Sequence, residues 1–362
     1  MERRQQKTGE FSRRSVDYKA AGVDIDAGHE AVRRIRELAR GTFTPGVLSD
    51  IGSFGGLFRP DLSGLTEPVL VSSADGVGTK LKVVFRTGQH DTIGGDLVNH
   101  CVNDILVQGA IPLFFLDYLA SGRLSQEVIA DVVRGMATAC TDNGCALLGG
   151  ETAEMPGFYA DGEYDLAGFI VGLVDRSRLI NGSGIRPGDH LIGLPSTGLH
   201  TNGYSLARHI IFDTLGLTPE SRPGGLDGTV GDVLLRPHRS YLGLVGPVIF
   251  GTDVAGARLV KGLAHITGGG LTDNLPRVLP EGTAAEINRS SWTPPPVFGF
   301  LRDHGALSDA EAFRTFNMGI GMVVACAPEA TEVLLSRFEQ AGEANAVVIG
   351  SITKGASEVT YV

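Results

Sequence analysis

Four acidic side chains beside glycine-rich backbone are the residues of this sequence best suited to chemistry. Asp75 stands in the stretch SSADGVGTKLKV, and Glu151 stands in LLGGETAEMPG. Asp96 and Asp104 stand in GGDLVNHCVNDILVQGA. Hard divalent cations such as Mg²⁺ take oxygen ligands, and a bound cation lets an acidic protein hold a polyphosphate. The sequence therefore predicts that Asp75, Asp96, Asp104 and Glu151 hold Mg²⁺ against a polyphosphate.

The stretch around Asp75 also offers groups that contact phosphate. Gly76, Gly78 and Thr79 contribute backbone N–H groups, and Lys80 adds a point charge. Taken alone, an Asp among glycines is explained equally well by a tight turn. Because the other acids lie beside similar backbone, we interpret the stretch as part of a phosphate–metal site.

The segment that carries Asp96 and Asp104 has the pattern of a helix with one apolar face and one polar arc. The polar arc consists of Asp96, Asn99, His100, Asn103 and Asp104. An ordinary solvated helix face mixes Lys, Arg and Glu, whereas this arc has only short oxygen-bearing side chains and a histidine. We therefore favour a metal or ligand face over a polar face covered by a loop. His100 alone is explained equally well by a bond to a neighbouring backbone carbonyl.

Two glycine-rich stretches in the second half of the chain have a different character. PSTGLHTNGYSLAR leads from a strand into a helix through His200, Asn202 and Ser205, and ITGGGLTDNLPRVL places three glycines before a helix. Exposed N–H groups at such a helix start can hold one phosphate, although close packing of helix on strand explains the glycines equally well. A phosphate site here would serve a second, phosphorylated substrate bound between domains.

The elements that must position these residues alternate between strands and helices. In the first half, the predicted elements are strand 69–73, helix 96–108, strand 113–119, a helix capped by Ser125 and ending at Asn143-Gly144, and strands 146–148 and 166–174. After a polar boundary at 176–188, the predicted elements are strand 191–194, helix 204–215, strand 263–267, helix 271–278, strand 319–325, helix 329–341 and strands 347–352 and 359–362. This order predicts two α/β domains of similar size.

Composition and missing motifs exclude several classes of protein. The net charge of −10 argues against a broad nucleic-acid surface, and no apolar run is long enough to cross a bilayer. The four cysteines are scattered and the first residues lack a signal-peptide core, so we expect reduced thiols and a cytosolic protein. The P-loop, the dinucleotide fingerprint, the zinc-protease helix and the hydrolase nucleophile elbow are all absent from the sequence.

Eight motifs, in order along the chain, resemble the phosphoribosylformylglycinamidine cyclo-ligase family, also called aminoimidazole ribonucleotide synthetases. The motifs are YKAAGVDIDAG, DGVGTKLK, DLVNHCVNDILVQGA, FFLDYLASG, LLGGETAEMPG, HTNGYSLAR, HITGGGLTDNLPRVLP and TFNMGIGM. The resemblance runs from about Tyr18 to the C-terminus. It implies a loose basic tail over 1–17, an N-terminal ATP/Mg-binding and dimerisation domain over 18–180, and a C-terminal substrate-binding α/β domain over 181–362.

The resemblance implies a cytosolic homodimeric enzyme with two mixed-sheet domains, whose N-terminal sheets join across the dimer. Its activity would be ATP-dependent ring closure of formylglycinamidine ribonucleotide to 5-aminoimidazole ribonucleotide, with release of ADP and phosphate, in purine biosynthesis. The expected ATP-binding residues are Asp75, Gly76, Gly78, Thr79, Lys80, Asp96, Asn103 and Glu151. The expected substrate-binding residues are His200, Asn202, Ser205, Thr267, Gly268, Gly269 and Gly270, and the expected catalytic residues are His200 for proton transfer, Lys80 and Asp104.

The sequence departs from the family pattern in two places. Ala74 stands where Thr is expected, so any hydroxyl role at this position is lost or passes to Ser73 or Thr79. Asn99-His100 replaces a commoner Ala-Met pair, which argues against His100 as an essential catalyst.

Other members of the same superfamily are the main alternatives, and a non-catalytic nucleotide-binding protein is the next. Selenophosphate synthetase carries a reactive residue near its N-terminus, whereas the first cysteine here is Cys101. Thiamine monophosphate kinase would lack HTNGYSL and TFNMGIGM, and a non-catalytic relative would have lost the acids. Lys19 and Asp24 are candidates for contacts of the tail with ATP.

Overall fold

The computed structural model describes residues 25–123, 125–251 and 258–362, with side chains from residue 33 onward. The tail over 1–17, with Lys19 and Asp24, lies outside the described residues. Among the described helices, every one is too short or too polar to cross a bilayer.

The first half of the chain forms a four-stranded mixed sheet covered on one face by helices. Its strands are β1 (Pro68–Gly76), β2 (Ile111–Ser121), β3 (Ala146–Glu154) and β4 (Tyr164–Asp175), and its helices are α1 (Ile25–Arg40), α2 (Leu81–Thr87), α3 (Ile93–Leu106) and α4 (Gln126–Asp142). The strand order is β1-β4-β2-β3, with only β2 and β3 parallel. Helix α3 packs closely because Gly168 has no side chain, where a Cβ would lie 2.9 Å from Leu97.

The opposite face of this sheet is apolar, and no element within the described residues covers it. Along β4, residues alternate between buried positions and the exposed or half-exposed Ala167, Phe169, Val171 and Leu173. Leu70 of β1, which pairs with Leu173, is 65% exposed. An alternating strand normally turns polar residues toward water, so this face differs from an ordinary solvated one.

The second half forms a six-stranded mixed sheet in the order β10-β7-β9-β5-β8-β6. Its strands are β5 (His190–Pro195), β6 (Gly262–His265), β7 (Thr283–Ile287), β8 (Ile320–Cys326), β9 (Val347–Lys354) and β10 (Val359–Tyr361). Its helices are α5 (Tyr204–Arg208), α6 (Val230–Leu234), α7 (Leu242–Val245), α8 (Gly270–Asn274), α9 (Pro296–His304), α10 (Asp309–Thr315) and α11 (Thr331–Gln340). Only β7 and β10 are parallel neighbours.

The structure confirms the predicted mixed α/β class and most of the predicted elements. Ser125 caps α4 by accepting a hydrogen bond from the Val128 N–H, as its position predicts. The predicted strand 146–148 is too short, because β3 continues through Glu151 to Glu154 beside β2. Pairing with a neighbouring strand overrides the local signal of Gly149-Gly150.

Candidate active site

A cleft of about 930 Å³ separates the edge strand β1 from the second half of the chain. Ser73, Asp75 and Asp104 line one wall. The other wall is lined by His265, the last residue of β6, and by Thr267, which follows that strand. The cleft therefore brings together two of the predicted metal-binding acids and one of the predicted substrate-binding residues.

Two elements position the acids of the cleft. Asp75 is the last residue but one of β1, and Asp104 lies on the last turn of α3, which packs behind β1. Ser73 donates a hydrogen bond from its hydroxyl to Asp104 Oδ2 at 3.0 Å. One helical turn before Asp104, His100 places its Nε2 2.8 Å from Asp75 Oδ2 and 3.8 Å from Asp104 Oδ2. Of the polar arc predicted on this helix, His100 thus faces β1 and Asp104 faces the cleft.

Four buried histidines, which we call the histidine cluster, lie behind the acids: His100, His200, His238 and His265. His265 donates from Nδ1 to Asp104 Oδ1 at 2.8 Å, and its Nε2 lies 3.1 Å from Nε2 of His238. His238 stacks on His200 with ring centroids 4.1 Å apart. Of the nine histidines in the chain, four therefore occupy one site.

Contacts among these groups shift the pKa values of the carboxylates downward. Burial raises the pKa of Asp104, but hydrogen bonds from His265 and Ser73 outweigh it and hold the pKa below its usual value. The pKa of Asp75 is lowered in the same way, because contact with His100 outweighs the effect of burial. Both acids are therefore anionic at neutral pH and available to a cation.

The net pKa shift differs in direction among the four buried histidines. Burial, with nearby positive groups, holds the pKa of His200 and of His238 well below the usual value. Burial also lowers the pKa of His265, against the effect of Asp104. Only for His100 do the neighbouring carboxylates outweigh burial and raise the pKa. His200 and His238 are consequently neutral imidazoles.

Lys80 and Asp96 form a fully buried ion pair rather than facing the cleft. Lys80 Nζ lies 2.6 Å from Asp96 Oδ2, and both side chains are 0% exposed. Lys80 also donates to the Arg236 carbonyl at 2.8 Å, and Asp96 accepts from the His238 N–H at 2.5 Å. Burial opposes the charged form of each partner, lowering the pKa of Lys80 and raising that of Asp96. The pair thus joins the first half of the chain to the 236–238 loop of the second half.

The remaining predicted ATP-binding residues occupy separate positions. Glu151 lies on β3, at the sheet edge opposite Asp75. Gly76 ends β1, and Gly78 begins a short 3₁₀ turn with a positive φ of 55°. Thr79 in that turn places its hydroxyl 3.0 Å from the hydroxyl of Ser205, so these two predicted residues contact each other across the domains.

Asn103 has a partner in the second half of the chain for each end of its amide. Its Nδ2 donates to the Arg239 carbonyl at 2.8 Å, and its Oδ1 accepts from the Tyr241 N–H at 2.9 Å. These bonds fix the orientation of the amide. Asn103 therefore positions the loop that carries His238 instead of lining the cleft.

The glycine-rich turn at 267–270 forms a compact loop on the second wall. Asn274 Nδ2 donates to the carbonyls of Gly268 and Gly270 at 3.0 and 2.9 Å. Gly270 has φ 59°, and a Cβ there would lie 2.0 Å from the Phe313 carbonyl oxygen, so only glycine fits. Gly269 also has a positive φ, of 95°, and Gly268 lies against the side chain of Asn202. The turn and Asn202 are thus adjacent, as predicted for one substrate site.

His200 lies deeper than its predicted catalytic role suggests. Its side chain is 0% exposed, its Nε2 accepts from the Thr197 N–H at 3.3 Å, and its Nδ1 has no hydrogen-bond partner among the described residues. Its backbone has φ 60°, an uncommon value for a residue other than glycine. Proton transfer by His200 stays a prediction.

Sequence reasoning missed Thr201, His238 and His265. The Thr201 hydroxyl lies 2.7 Å from Nδ1 of His100 and 3.2 Å from Nδ1 of His238. One local signal was present, because His265 directly precedes the predicted phosphate turn. Nothing local marks His238, which reaches the site from a loop between α6 and α7.

Comparison with known proteins agrees with this architecture. The family description "AIR synthase related protein" matches the chain twice, with its N-terminal domain at residues 62–174 and its C-terminal domain at 186–362. A phosphoribosylformylglycinamidine cyclo-ligase from Syntrophotalea carbinolica is 51% identical, over 95% of this chain and 97% of that protein. A phosphoribosylformylglycinamidine cyclo-ligase from Nitratidesulfovibrio vulgaris is 54% identical, over 94% of this chain and 95% of that protein.

The chain belongs to the phosphoribosylformylglycinamidine cyclo-ligase family. This confirms the family resemblance of the motifs and the prediction of a ligase. Solved structures similar to this cyclo-ligase family member include thiamine-monophosphate kinase from Stenotrophomonas maltophilia, with 20% identity and a TM-score of 0.63 over 91% of this chain and 95% of that one. The hydrogenase maturation protein HypE of E. coli has 19% identity and a TM-score of 0.64, over 91% of this chain and 92% of that one. These two proteins share the fold predicted for the superfamily.

Proposed function

We propose that the chain catalyses ATP-dependent ring closure of formylglycinamidine ribonucleotide to 5-aminoimidazole ribonucleotide, with release of ADP and phosphate, in purine biosynthesis. The observation that carries the proposal is the match to named cyclo-ligases at 51–54% identity over nearly the full length of both chains. Use of ATP is also supported by fold neighbours, because HypE and a thiamine monophosphate kinase have been solved with ATP and with AMPPCP.

The chemistry explains why ATP is needed. A formamide carbon is a poor electrophile, because its oxygen cannot leave as oxide. Transfer of the γ-phosphoryl group of ATP to the formyl oxygen converts that oxygen into part of a phosphate leaving group. The ring-closing nitrogen then attacks the formyl carbon, and the carbon–oxygen bond breaks with release of phosphate. Catalysis of such steps consists mainly of positioning and charge stabilisation.

The donor set of the cleft fits Mg²⁺ at two of the four predicted acids. Asp75 and Asp104 are anionic and partly exposed, with 46% and 23% of their side chains accessible. Asp96 is fully paired with Lys80, and Glu151 lies at the opposite edge of the sheet. Asp75 and Asp104 would hold Mg²⁺, which when bound neutralises phosphate charge.

The remaining cleft residues bind and orient the substrates in this proposal. The turn at 267–270 and Asn202 contact the phosphorylated substrate from the second wall. Lys80 acts as a positioning residue, because its ion pair with Asp96 fixes α3 against the 236–238 loop. His200 is a neutral imidazole whose Nε2 accepts from the Thr197 N–H, so its proton lies on Nδ1 and it can accept a proton from the closing ring only at Nε2, in place of that hydrogen bond.

A cytosolic homodimer is part of the proposal. The uncovered face of the first sheet, with Leu70, Phe169 and Ile111 at 65, 43 and 40% exposure, is apolar enough to need a partner. A second copy of the same face would cover it in a two-fold arrangement.

The test is a coupled assay for ADP and for aminoimidazole product in the same samples. We expect both to rise together with ATP, Mg²⁺ and formylglycinamidine ribonucleotide, and both to vanish in Asp104→Asn. Asp213→Asn, which changes a 61%-exposed acid outside the cleft, is the matched control and should retain full activity. ATP binding without either product in the native chain would refute the proposed function.

A further inference from the structure

His100, Asp104 and His265 lie close enough to share one ion. One donor atom from each lies within 4.8 Å of the others, with 2.8 Å between His265 Nδ1 and Asp104 Oδ1 and 3.8 Å between His100 Nε2 and Asp104 Oδ2. Two ligands each about 2.1 Å from one ion are about 3.0 Å apart at a right angle and about 3.4 Å apart at the tetrahedral angle. The two distances, which involve different oxygens of Asp104, lie on either side of these values, so small side-chain rotations would bring the three groups onto one ion.

We propose that these three residues form a binding site for a first-row transition cation such as Zn²⁺ or Co²⁺. The site would bind such a cation in preference to Mg²⁺. Two imidazoles and one carboxylate are typical ligands of such ions. Mg²⁺ prefers oxygen ligands and near-octahedral water, which two imidazoles do not supply. The site shares Asp104 with the proposed Mg²⁺ position and in that sense rests on the proposed function, but binding of the ion requires neither ATP nor turnover.

A buried donor atom points into the site without an aligned partner. His100 is 3% exposed, and its Nε2 makes no hydrogen bond of good geometry, although Asp75 and Asp104 lie nearby. Its contact with Asp75 Oδ2, at 2.8 Å, is therefore an ion-pair contact without the alignment of a directed hydrogen bond. An ion bonded to Nε2 would give this nitrogen a directed partner.

The groups behind the site contact the nitrogen of each imidazole that does not bind the ion. Asn103 directs its Nδ2 toward Nε2 of His238 at 3.3 Å, and since its amide orientation is fixed, we assign that nitrogen as an acceptor. Binding of the ion then requires the His265 proton to move from Nδ1, where it bonds to Asp104, to Nε2, from which it can be donated to His238. Thr201 binds Nδ1 of His100, which leaves Nε2 for the ion. Ligating histidines in metalloproteins are oriented by partners of this kind.

Titration of the tag-free, chelator-treated protein with Co²⁺ tests the proposal directly. We expect one equivalent to bind with intense visible absorption bands typical of nitrogen-ligated, four- or five-coordinate Co²⁺, and Zn²⁺ to displace it. Calorimetry should give Zn²⁺ affinity at least about 100-fold above Mg²⁺ affinity in the absence of nucleotide.

Three variants assign the binding to this site. His100→Ala should weaken Co²⁺ binding by more than about 100-fold, and Thr201→Val by about 10- to 100-fold through loss of the partner of His100. His209→Ala is the matched control, because His209 and Asp213 repeat the i,i+4 spacing of His100 and Asp104 on the exposed surface. It should leave the affinity unchanged.

The proposal is overturned if native protein gives only the pale spectrum of aqueous Co²⁺, or if His100→Ala and His209→Ala bind Co²⁺ equally. Thr201→Val keeps the test valid if His100→Ala fails to fold, as judged by circular dichroism, since Val matches Thr in shape. Because no nucleotide is present, a negative result leaves ring closure intact, and a failed ring-closure assay leaves the metal site intact.

Discussion

Replacement of Lys80 by methionine separates a structural role of this residue from direct contact with ATP. Lys80→Met would leave the Asp96 carboxylate, which is 0% exposed, without its partner at 2.6 Å, and would also leave the Arg236 carbonyl unsatisfied. Removal of one member of a buried ion pair costs about 3–5 kcal/mol. We expect the free energy of unfolding, measured by urea titration and circular dichroism, to fall by that amount.

The matched control lies two residues further along the chain. Lys82 contacts Glu163 at the same distance, 2.6 Å, but their side chains are 42 and 35% exposed. Solvent-exposed pairs contribute about 0.2–1 kcal/mol, so Lys82→Met should lower the free energy of unfolding by less than about 1 kcal/mol. Neutralising both members of the buried pair, in Lys80→Met/Asp96→Asn, should recover part of the loss, because no charge then stays buried alone.

ATP affinity distinguishes the two roles of Lys80. If Lys80 positions α3 and the 236–238 loop, the folded fraction of Lys80→Met at low temperature should bind ATP with a Kd within about threefold of the native value, a difference below 1 kcal/mol. A loss of stability no larger than that of Lys82→Met, together with a large loss of ATP affinity, would refute the structural interpretation.

Three further outcomes follow from other parts of the structure. The pKa of Asp175 is held far below its usual value by hydrogen bonds from Ser177, Glu67 and Thr66. The contribution of this carboxylate to stability is therefore complete above about pH 4 and is lost as the pH falls below that value. Asp175→Ala should flatten the acid limb of a curve of unfolding free energy against pH. Gly270→Ala should lower the free energy of unfolding by more than about 1 kcal/mol, whereas Gly282→Ala, also at positive φ but with open space around its Cβ, should cost less. Phe169→Asp on the uncovered sheet face should give the mass of a monomer in light scattering. Phe158→Asp, which changes an exposed residue outside that sheet, should keep the mass of a dimer. Equal masses for the two variants would contradict dimerisation through this face.

Local patterns were sufficient to predict the regular elements and the acids of the cleft. Asp75 lies near the end of a strand and Asp104 lies on a helix one turn after His100, and both positions follow from hydrophobic periodicity. The fold class followed from the alternation of strands and helices. The short helices α6, α7 and α8 were missed or overextended because four or five residues give little periodic signal.

Contacts between distant segments could not be predicted in this way. Lys80 stands in a motif that suggests phosphate binding, but packing of α3 places Asp96 beside it and makes the pair part of the core. His238 approaches α3 from a loop and His265 from the end of β6, each more than 130 residues away in sequence, and no periodic pattern encodes such a meeting. The predicted strand 146–148 stops short of Glu151, because pairing of β3 with β2 extends the strand through that residue.

The fate of the formyl oxygen tests the central claim most directly. Formylglycinamidine ribonucleotide labelled with ¹⁸O in the formyl group would be turned over with ATP, and the released phosphate analysed by ³¹P NMR. Phosphoryl activation of that oxygen predicts one ¹⁸O atom in each inorganic phosphate formed, in proportion to aminoimidazole product. Unlabelled phosphate accompanying ring closure would contradict the proposed activation of the formyl oxygen.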